Sequence, residues 1–329
     1  MPFSFRLPRH KGVPVASSTT TLRTEDGGVL GIHSYATSEA DLQAPGDKRV
    51  VVVGGAFLTA SIYRPFCSLF AKQLGDGWAV DIYDRRGRGD SSPQPADYSM
   101  STEISDLALV LRHTGAKNIM GHSLGGSVAL NAVQAYVGAD PRRRHEAALE
   151  LVPHKLCVYD PAINIDGSIN TSWLPEFERA VDERRYNTAL KYVQRQINPR
   201  GSFQDVPAWM MTGLIAMTRP TKFGQRIRAL LPTAVGELKA ALQEQETAES
   251  FSALPASTHF MAGALSADYF QDTAVKLHQA IDGSTFELSP KSLHGAIPFM
   301  HPEVLADMAD YFEGQPKQTD PQEVAKARD

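Results

Sequence analysis

The tightest constraint in the chain is Gly121-His122-Ser123-Leu124-Gly125-Gly126, a serine with a glycine two positions to either side. Asn118-Ile119-Met120 precedes it as a short strand, and apolar Val128, Leu130 and Val133 line a helical pattern running from Leu124 to Val137. A serine at such a strand-to-helix junction occupies a strained turn, and its neighbours two away must be small for strand and helix to approach. Its hydroxyl then stands at the edge of the sheet. The first N–H groups of the helix, with its positive dipole end, face the same point. Ser123 is therefore a candidate nucleophile, and the Leu124 N–H a candidate donor to a developing oxyanion.

The remaining elements predict an α/β fold. Short β-branched runs alternate with longer helical patterns, the signature of a mainly parallel sheet with helices on both faces. Strands are expected at Val29 to Tyr35, Arg49 to Val53, Trp78 to Tyr83, Asn118 to Met120, Lys155 to Tyr159, Thr258 to Ala262 and Thr285 to Leu288. Helices are expected at Thr102 to Arg112, Leu124 to Val137, Thr273 to Ile281 and Pro302 to Phe312. Between Asn164 and Ser250 the pattern turns to consecutive helices, at Leu174 to Glu183, Tyr186 to Gln196 and Ala234 to Gln245, punctuated by Pro199, Pro207, Pro220 and Pro232. The resulting division is a core over 1–163 and 251–315, a helical cap over 164–250, and a polar tail over 316–329 that frays.

Composition excludes more than it selects. A net charge of −4 gives no electrostatic footprint for nucleic acid. The basic cluster Arg142-Arg143-Arg144 is followed by Glu146 and Glu150 and reads as a solvated face. Two cysteines, Cys67 and Cys157, do not make a disulfide framework, and Cys157 sits in an apolar run that suits a buried thiol. The first dozen residues lack the continuous apolar stretch of a signal peptide, and the longest apolar run, Trp209 to Met217, is too short to span a bilayer. The expected location is the cytoplasm, without membrane insertion.

Two further segments sit beside the serine motif in meaning. Val51-Val52-Val53-Gly54-Gly55-Ala56-Phe57 is a strand running into a glycine-rich loop, and Asp84-Arg85-Arg86-Gly87-Arg88-Gly89-Asp90-Ser91 is a turn after the next strand. With the serine motif, these resemble the α/β-hydrolase superfamily over nearly the whole chain, the cap being the least similar part. The resemblance implies that the first segment is the oxyanion loop, with the N–H of Ala56 or of Phe57 joining that of Leu124. The family usually has His-Gly there, and Gly54 stands where that histidine would be. The arginine-rich segment resembles a structural turn, with its arginines expected at turn and surface positions.

A serine hydroxyl needs a positioned base, and histidine is best poised for that near neutral pH. Of ten histidines, His294 follows the last expected strand in Leu293-His294-Gly295-Ala296-Ile297-Pro298, where the family carries its base; His301 is the alternative. His259 reads as a core residue, and His122 as a packing or substrate-contacting group beside the serine. The base in turn needs a carboxylate on its other nitrogen. The family usually has it about three residues beyond the glycine after the Thr258 to Ala262 strand, but Gly263-Ala264-Leu265-Ser266 puts a serine there. Asp268 lies two residues later. Asp160, ending the Lys155 to Tyr159 strand, stands where some members carry the acid instead. Simpler readings exist for both: a local Asp-Pro turn at Asp160-Pro161 and a helix cap at Asp268.

The resemblance implies acyl transfer: His294 activates Ser123, the alkoxide attacks a carbonyl, and water resolves the acyl-enzyme, with no metal or organic cofactor. Trp173, Phe177, Phe203, Trp209, Met210, Met211 and Met217 in the cap suggest an apolar pocket and hence a small hydrophobic ester, lactone or thioester as partner, although many of them serve to pack cap helices together. Substrate contacts are expected from His122, Trp173, Trp209 and Met210. A serine nucleophile argues against dehalogenase or epoxide hydrolase chemistry. Carbon–carbon bond hydrolysis or acyl transfer to an alcohol on the same triad stays open, as does a non-catalytic binding protein on a hydrolase scaffold.

Overall fold

The computed structural model describes residues 15–137, 152–197, 208–242, 245–255 and 257–326; the arginines 142–144 and Phe203 lie outside them. The valine run β3 (Arg49–Val53) shows how the layers form. All five of its residues are buried, Val50 and Val52 in the core on one side and Val51 and Val53 in the core on the other. That is the period-two division of a strand covered on both faces. Around it lie β1 (Ala16–Arg23), β2 (Val29–Ala36), β4 (Ala79–Tyr83), β5 (Asn118–His122), β6 (Lys155–Tyr159), β7 (Thr258–Gly263) and β8 (Thr285–Ser289). Their order is β1-β2-β4-β3-β5-β6-β7-β8, antiparallel from β1 to β4 and parallel onward.

Helices α1 (Ala60–Leu74), α2 (Met100–Thr114) and α3 (Leu124–Val137) precede the cap; α9 (Asp268–Ala280), α10 (Pro302–Phe312) and α11 (Gln322–Lys326) follow it. Helices α1 and α10 cover one face of the sheet, and α2, α3 and α9 the other. The segment between β6 and β7, the one expected as a cap, contains α4 (Leu174–Asp182), α5 (Tyr186–Ile197), α6 (Ala208–Met217), α7 (Lys222–Ala229) and α8 (Leu231–Leu242). Its exit and return run side by side: Asp166 donates to the Glu246 carbonyl (2.8 Å), and Glu246 donates to that of Asn164 (2.9 Å). No helix among the described residues is long and apolar enough to cross a membrane.

Three features differ from the sequence reading. Strand β1 and helix α1 appear where neither is expected. The chain from 316 onward does not fray through its described length: Thr319 donates to the Phe286 carbonyl (2.8 Å), its hydroxyl accepts from Leu288 N–H (3.0 Å), and α11 buries Val324. The free edge of β8 supplies the backbone groups that hold it. The arginines after β4 are interior rather than surface residues, with Arg85 1 %, Arg86 4 % and Arg88 4 % exposed.

Those arginines fasten α8 to the sheet layer. Arg85 pairs with Glu103 of α2 (2.8 Å) and with Glu237 of α8 (2.7 Å), and Arg88 also pairs with Glu237. Their remaining donors hold the carbonyls of Gly54 (3.1 Å), Gly55 (3.1 and 3.3 Å) and Leu58 (2.8 Å). Arg86 instead pairs with Asp106 and Asp26. Removing one member of a buried ion network leaves the others charged and unpaired, a loss of about 3 to 5 kcal/mol. Glu237→Ala should lower stability by that amount, read as a denaturant midpoint shift at unchanged slope.

On β8, Glu287 is buried and hydrogen-bonded to Asp307 of α10, and His259 Nε2 lies 3.7 Å away. Burial, the proton held against Asp307 and that group's charge keep the Glu287 carboxyl well above the usual glutamate range. The folded state thus favours the protonated form. Its contribution to stability is fully present below the ordinary glutamate value of about 4.5 and is lost as pH rises through neutrality. Glu287→Gln, which keeps the shape and removes the titration, should flatten the decline in urea-unfolding free energy between about pH 5 and about pH 8.

Candidate active site

The junction of β5 and α3 forces the geometry of Ser123. Ser123 has φ 56°, in the left-handed region that a side chain enters only when its surroundings impose it. Its N–H donates to the Tyr159 carbonyl (3.0 Å), and its own carbonyl accepts from Gly126 (2.9 Å) and Ala162 (3.1 Å). The flanking glycines permit the crossing. A Cβ on Gly121 would stand 2.6 Å from the Gly126 Cα, and one on Gly125 would stand 2.0 Å from the Val53 carbonyl oxygen. Real side chains do not survive such contacts with backbone.

The Ser123 hydroxyl lies 3.0 Å from His294 Nε2, and His294 Nδ1 lies 3.1 Å from Asp160 Oδ2. A carboxylate acceptor places the imidazole proton on Nδ1 and leaves Nε2 to accept from the serine. His294 follows β8 and Asp160 ends β6, so the run crosses the carboxyl ends of β5, β6 and β8. The His294 ring stacks on buried Phe270 of α9, with centroids 4.1 Å apart and planes at 9°.

Asp160 is fully buried with φ 46°, and its other partners are the Gly263 N–H (3.0 Å) and the Ser266 hydroxyl (2.5 Å). Ser266, in the place where an acid was expected, is thus a donor to the acid one strand over. Gln271 braces this loop through the carbonyls of Gly263, Ala264 and Ser266. Asp268 is the first residue of α9, where a negative charge complements the helix dipole.

The other expected residues divide. His122 is 2 % exposed, with Nδ1 against the Tyr63 hydroxyl (2.6 Å) and Nε2 against the His294 carbonyl (2.9 Å). Both ring nitrogens are committed to the protein. His301 lies outside the run, before α10. Of the loop donors, the Gly55 N–H is taken by the Tyr63 hydroxyl (2.8 Å), whereas the N–H groups of Ala56, Phe57 and Leu124 meet no acceptor among the described residues. The ring of Phe57, with φ 62°, meets that of Phe177 of α4 edge-on at 6.4 Å, and Phe177 meets Trp173 at 5.5 Å. Helix α4 therefore packs against the glycine-rich loop through Phe177. Met210, on α6, is 41 % exposed, and Trp209 lies on the same helix.

Sequence reasoning did not find Tyr63, Phe270, Gln271 or the buried role of Arg85 and Arg88. Ser266 alone left a signal, by occupying the usual acid position. Among the described residues, the grouping with metal-ligand spacing is His33, Asp84 and Asp90, but Asp84 already accepts from the N–H groups of Ala60 (2.7 Å) and Asp90 (3.1 Å).

The model of the alpha/beta hydrolase family matches residues 50–308, and the chain belongs to that family. Curated protein sequences give no match. Among solved structures, the chain is similar to an alpha/beta hydrolase from Sphaerobacter thermophilus, at 22 % identity and TM-score 0.64, covering 89 % of this chain and 100 % of that one. An esterase from Exiguobacterium antarcticum follows at 16 % identity and TM-score 0.63, covering 90 % and 100 %. An enol-lactonase from Burkholderia xenovorans is similar at 16 % identity and TM-score 0.62, covering 89 % and 100 %. At these identities the likeness is one of fold.

The glycine crossing is testable. Gly125→Ala should destabilise by about 3 kcal/mol or more, because its Cβ meets backbone on a sheet strand. Gly213→Ala, at a cap-helix position with open space around it, should instead stabilise by about 0.5 to 1 kcal/mol. Thermal or urea unfolding of the two variants reads both signs.

Proposed function

We propose that the protein is a serine hydrolase that cleaves a small hydrophobic carboxylic ester, lactone or thioester through an acyl-enzyme at Ser123. The observation that carries this reading is the unbroken hydrogen-bonded run Ser123–His294–Asp160, in which every polar atom has the donor or acceptor its role requires. His294 takes the serine proton as the hydroxyl attacks and returns it to the leaving group; Asp160, rather than Asp268, holds the imidazole tautomer and stabilises the imidazolium.

The oxyanion is held by the N–H groups of Leu124 and Ala56. Arg85 and Arg88 turn the Gly55 carbonyl toward themselves, and in a trans peptide the Ala56 N–H points the opposite way. That supports Ala56 over Phe57. The apolar roof of Phe57, Phe177 and Trp173 supports a hydrophobic acyl group, and the esterase and enol-lactonase that share the fold support ester and lactone substrates. The cycle uses side chains and backbone alone.

A fluorophosphonate probe should label the wild type at Ser123 and leave Ser123→Ala unlabelled, and turnover of short p-nitrophenyl esters should vanish with the label. Asp160→Asn should lower kcat by about 10⁴-fold at nearly unchanged folding, whereas Asp268→Asn should stay within about ten-fold. Folded protein that resists the probe would favour the binding-protein alternative. Equal losses in the two aspartate variants would remove Asp160 from its role.

A further inference from the structure

Building on the proposed acyl transfer, we infer that Tyr63 and His122 are positioning residues: a buried relay through their side chains ties the loop of the oxyanion donor to the loop of the base. The relay runs from the Gly55 N–H to the Tyr63 hydroxyl (2.8 Å), from that hydroxyl to His122 Nδ1 (2.6 Å), and from His122 Nε2 to the His294 carbonyl (2.9 Å). Its direction is set from both ends. A backbone N–H can only donate and a carbonyl can only accept. The Tyr63 hydroxyl must therefore spend its single proton on Nδ1, and the ring proton of His122 must sit on Nε2. Each link has one donor and one acceptor, with none left over.

Burial adds to the constraint. Tyr63 is 1 % and His122 2 % exposed, and a Cβ on Gly55 would stand 3.1 Å from the Ser123 Cβ, so the relay passes directly behind the nucleophile. Around the His122 ring stand Tyr63 from α1, Tyr159 from β6 and His294 itself, with Arg85 and Arg88 beyond the Tyr63 hydroxyl. Burial, and then the neighbouring His294, push the His122 imidazole down to about 3. The ring is neutral near neutral pH, and the direction of the relay does not reverse. A ring serving only as filler would need neither nitrogen.

The two loops are otherwise anchored to different parts of the molecule: the glycine loop to Arg85 and Arg88, and the histidine loop to the Tyr159 hydroxyl through the Leu293 carbonyl (3.0 Å). Catalysis needs their separation fixed, since a misplacement of about 1 Å costs up to about 100-fold. The relay supplies that spacing without touching substrate.

The test is a double-mutant cycle on p-nitrophenyl ester turnover. Tyr63→Phe and His122→Phe should each lower kcat by about 10- to 100-fold with KM within about two-fold. The double variant should be no slower than the slower single one, because both cut the same chain. His122→Gln, whose amide can accept from Tyr63 and donate to the His294 carbonyl, should recover most of the rate. Additive losses, or lowered melting temperatures at unchanged kcat, would overturn the relay. Imidazole ¹⁵N NMR of the wild type gives a readout independent of turnover: Nε2 protonated and no titration between about pH 5 and about pH 9. A protonated Nδ1 would refute the inference even in an active enzyme. A wild type that resists fluorophosphonate would instead refute the hydrolase reading, with the spectrum still deciding the relay.

Discussion

The contact between α3 and the ends of β3 and β5 governs the rest of the site. Gly121 and Gly125 let helix and strands touch through backbone, and the turn between them throws Ser123 into a left-handed conformation. With that approach made, the serine oxygen, the first free N–H of α3 and the glycine-rich loop after β3 are fixed in one place. Any side chain at the crossing would push the helix away and separate the nucleophile from the groups around it.

The other residues gathered around Ser123 reach this point from the carboxyl ends of parallel strands. The loop after β3 brings Ala56, β6 ends in Asp160, the loop after β7 brings Ser266, and the loop after β8 brings His294. This is the side of an open parallel sheet where ligands gather. The acid shows how much the architecture tolerates. With Ser266 at the position that usually carries the carboxylate, Asp160 reaches the same imidazole nitrogen from the neighbouring strand, and the serine becomes its hydrogen-bond donor.

The sequence made the sheet legible wherever a strand was apolar on both faces. β3 and β6 were read to the residue, and α3 and α10 as well. β1 was missed because Ala16–Arg23 is dominated by serine and threonine, pairs with β2 alone among the described residues and leaves most of its side chains exposed. α1 was missed because Pro65 sits inside it, where a proline ordinarily ends a helix. The serine and histidine stood out through local motifs. The choice between Asp160 and Asp268 could not, because the deciding contact spans 134 positions and depends on which strands are neighbours. The buried arginines were misjudged for the same reason: their partner Glu237 lies in the cap, about 150 residues away by the numbering.

The ion network at Glu237 also links two segments that the sequence keeps far apart. Helix α8 belongs to the cap in sequence, but its glutamate shares buried charge with the arginines that grip the glycine-rich loop. Displacing α8 would leave Arg88 without its carboxylate and Arg85 with Glu103 alone, and would loosen the loop that both arginines hold. The shape of the glycine-rich loop and the seating of α8 are therefore one property, set by charges that neither segment holds alone.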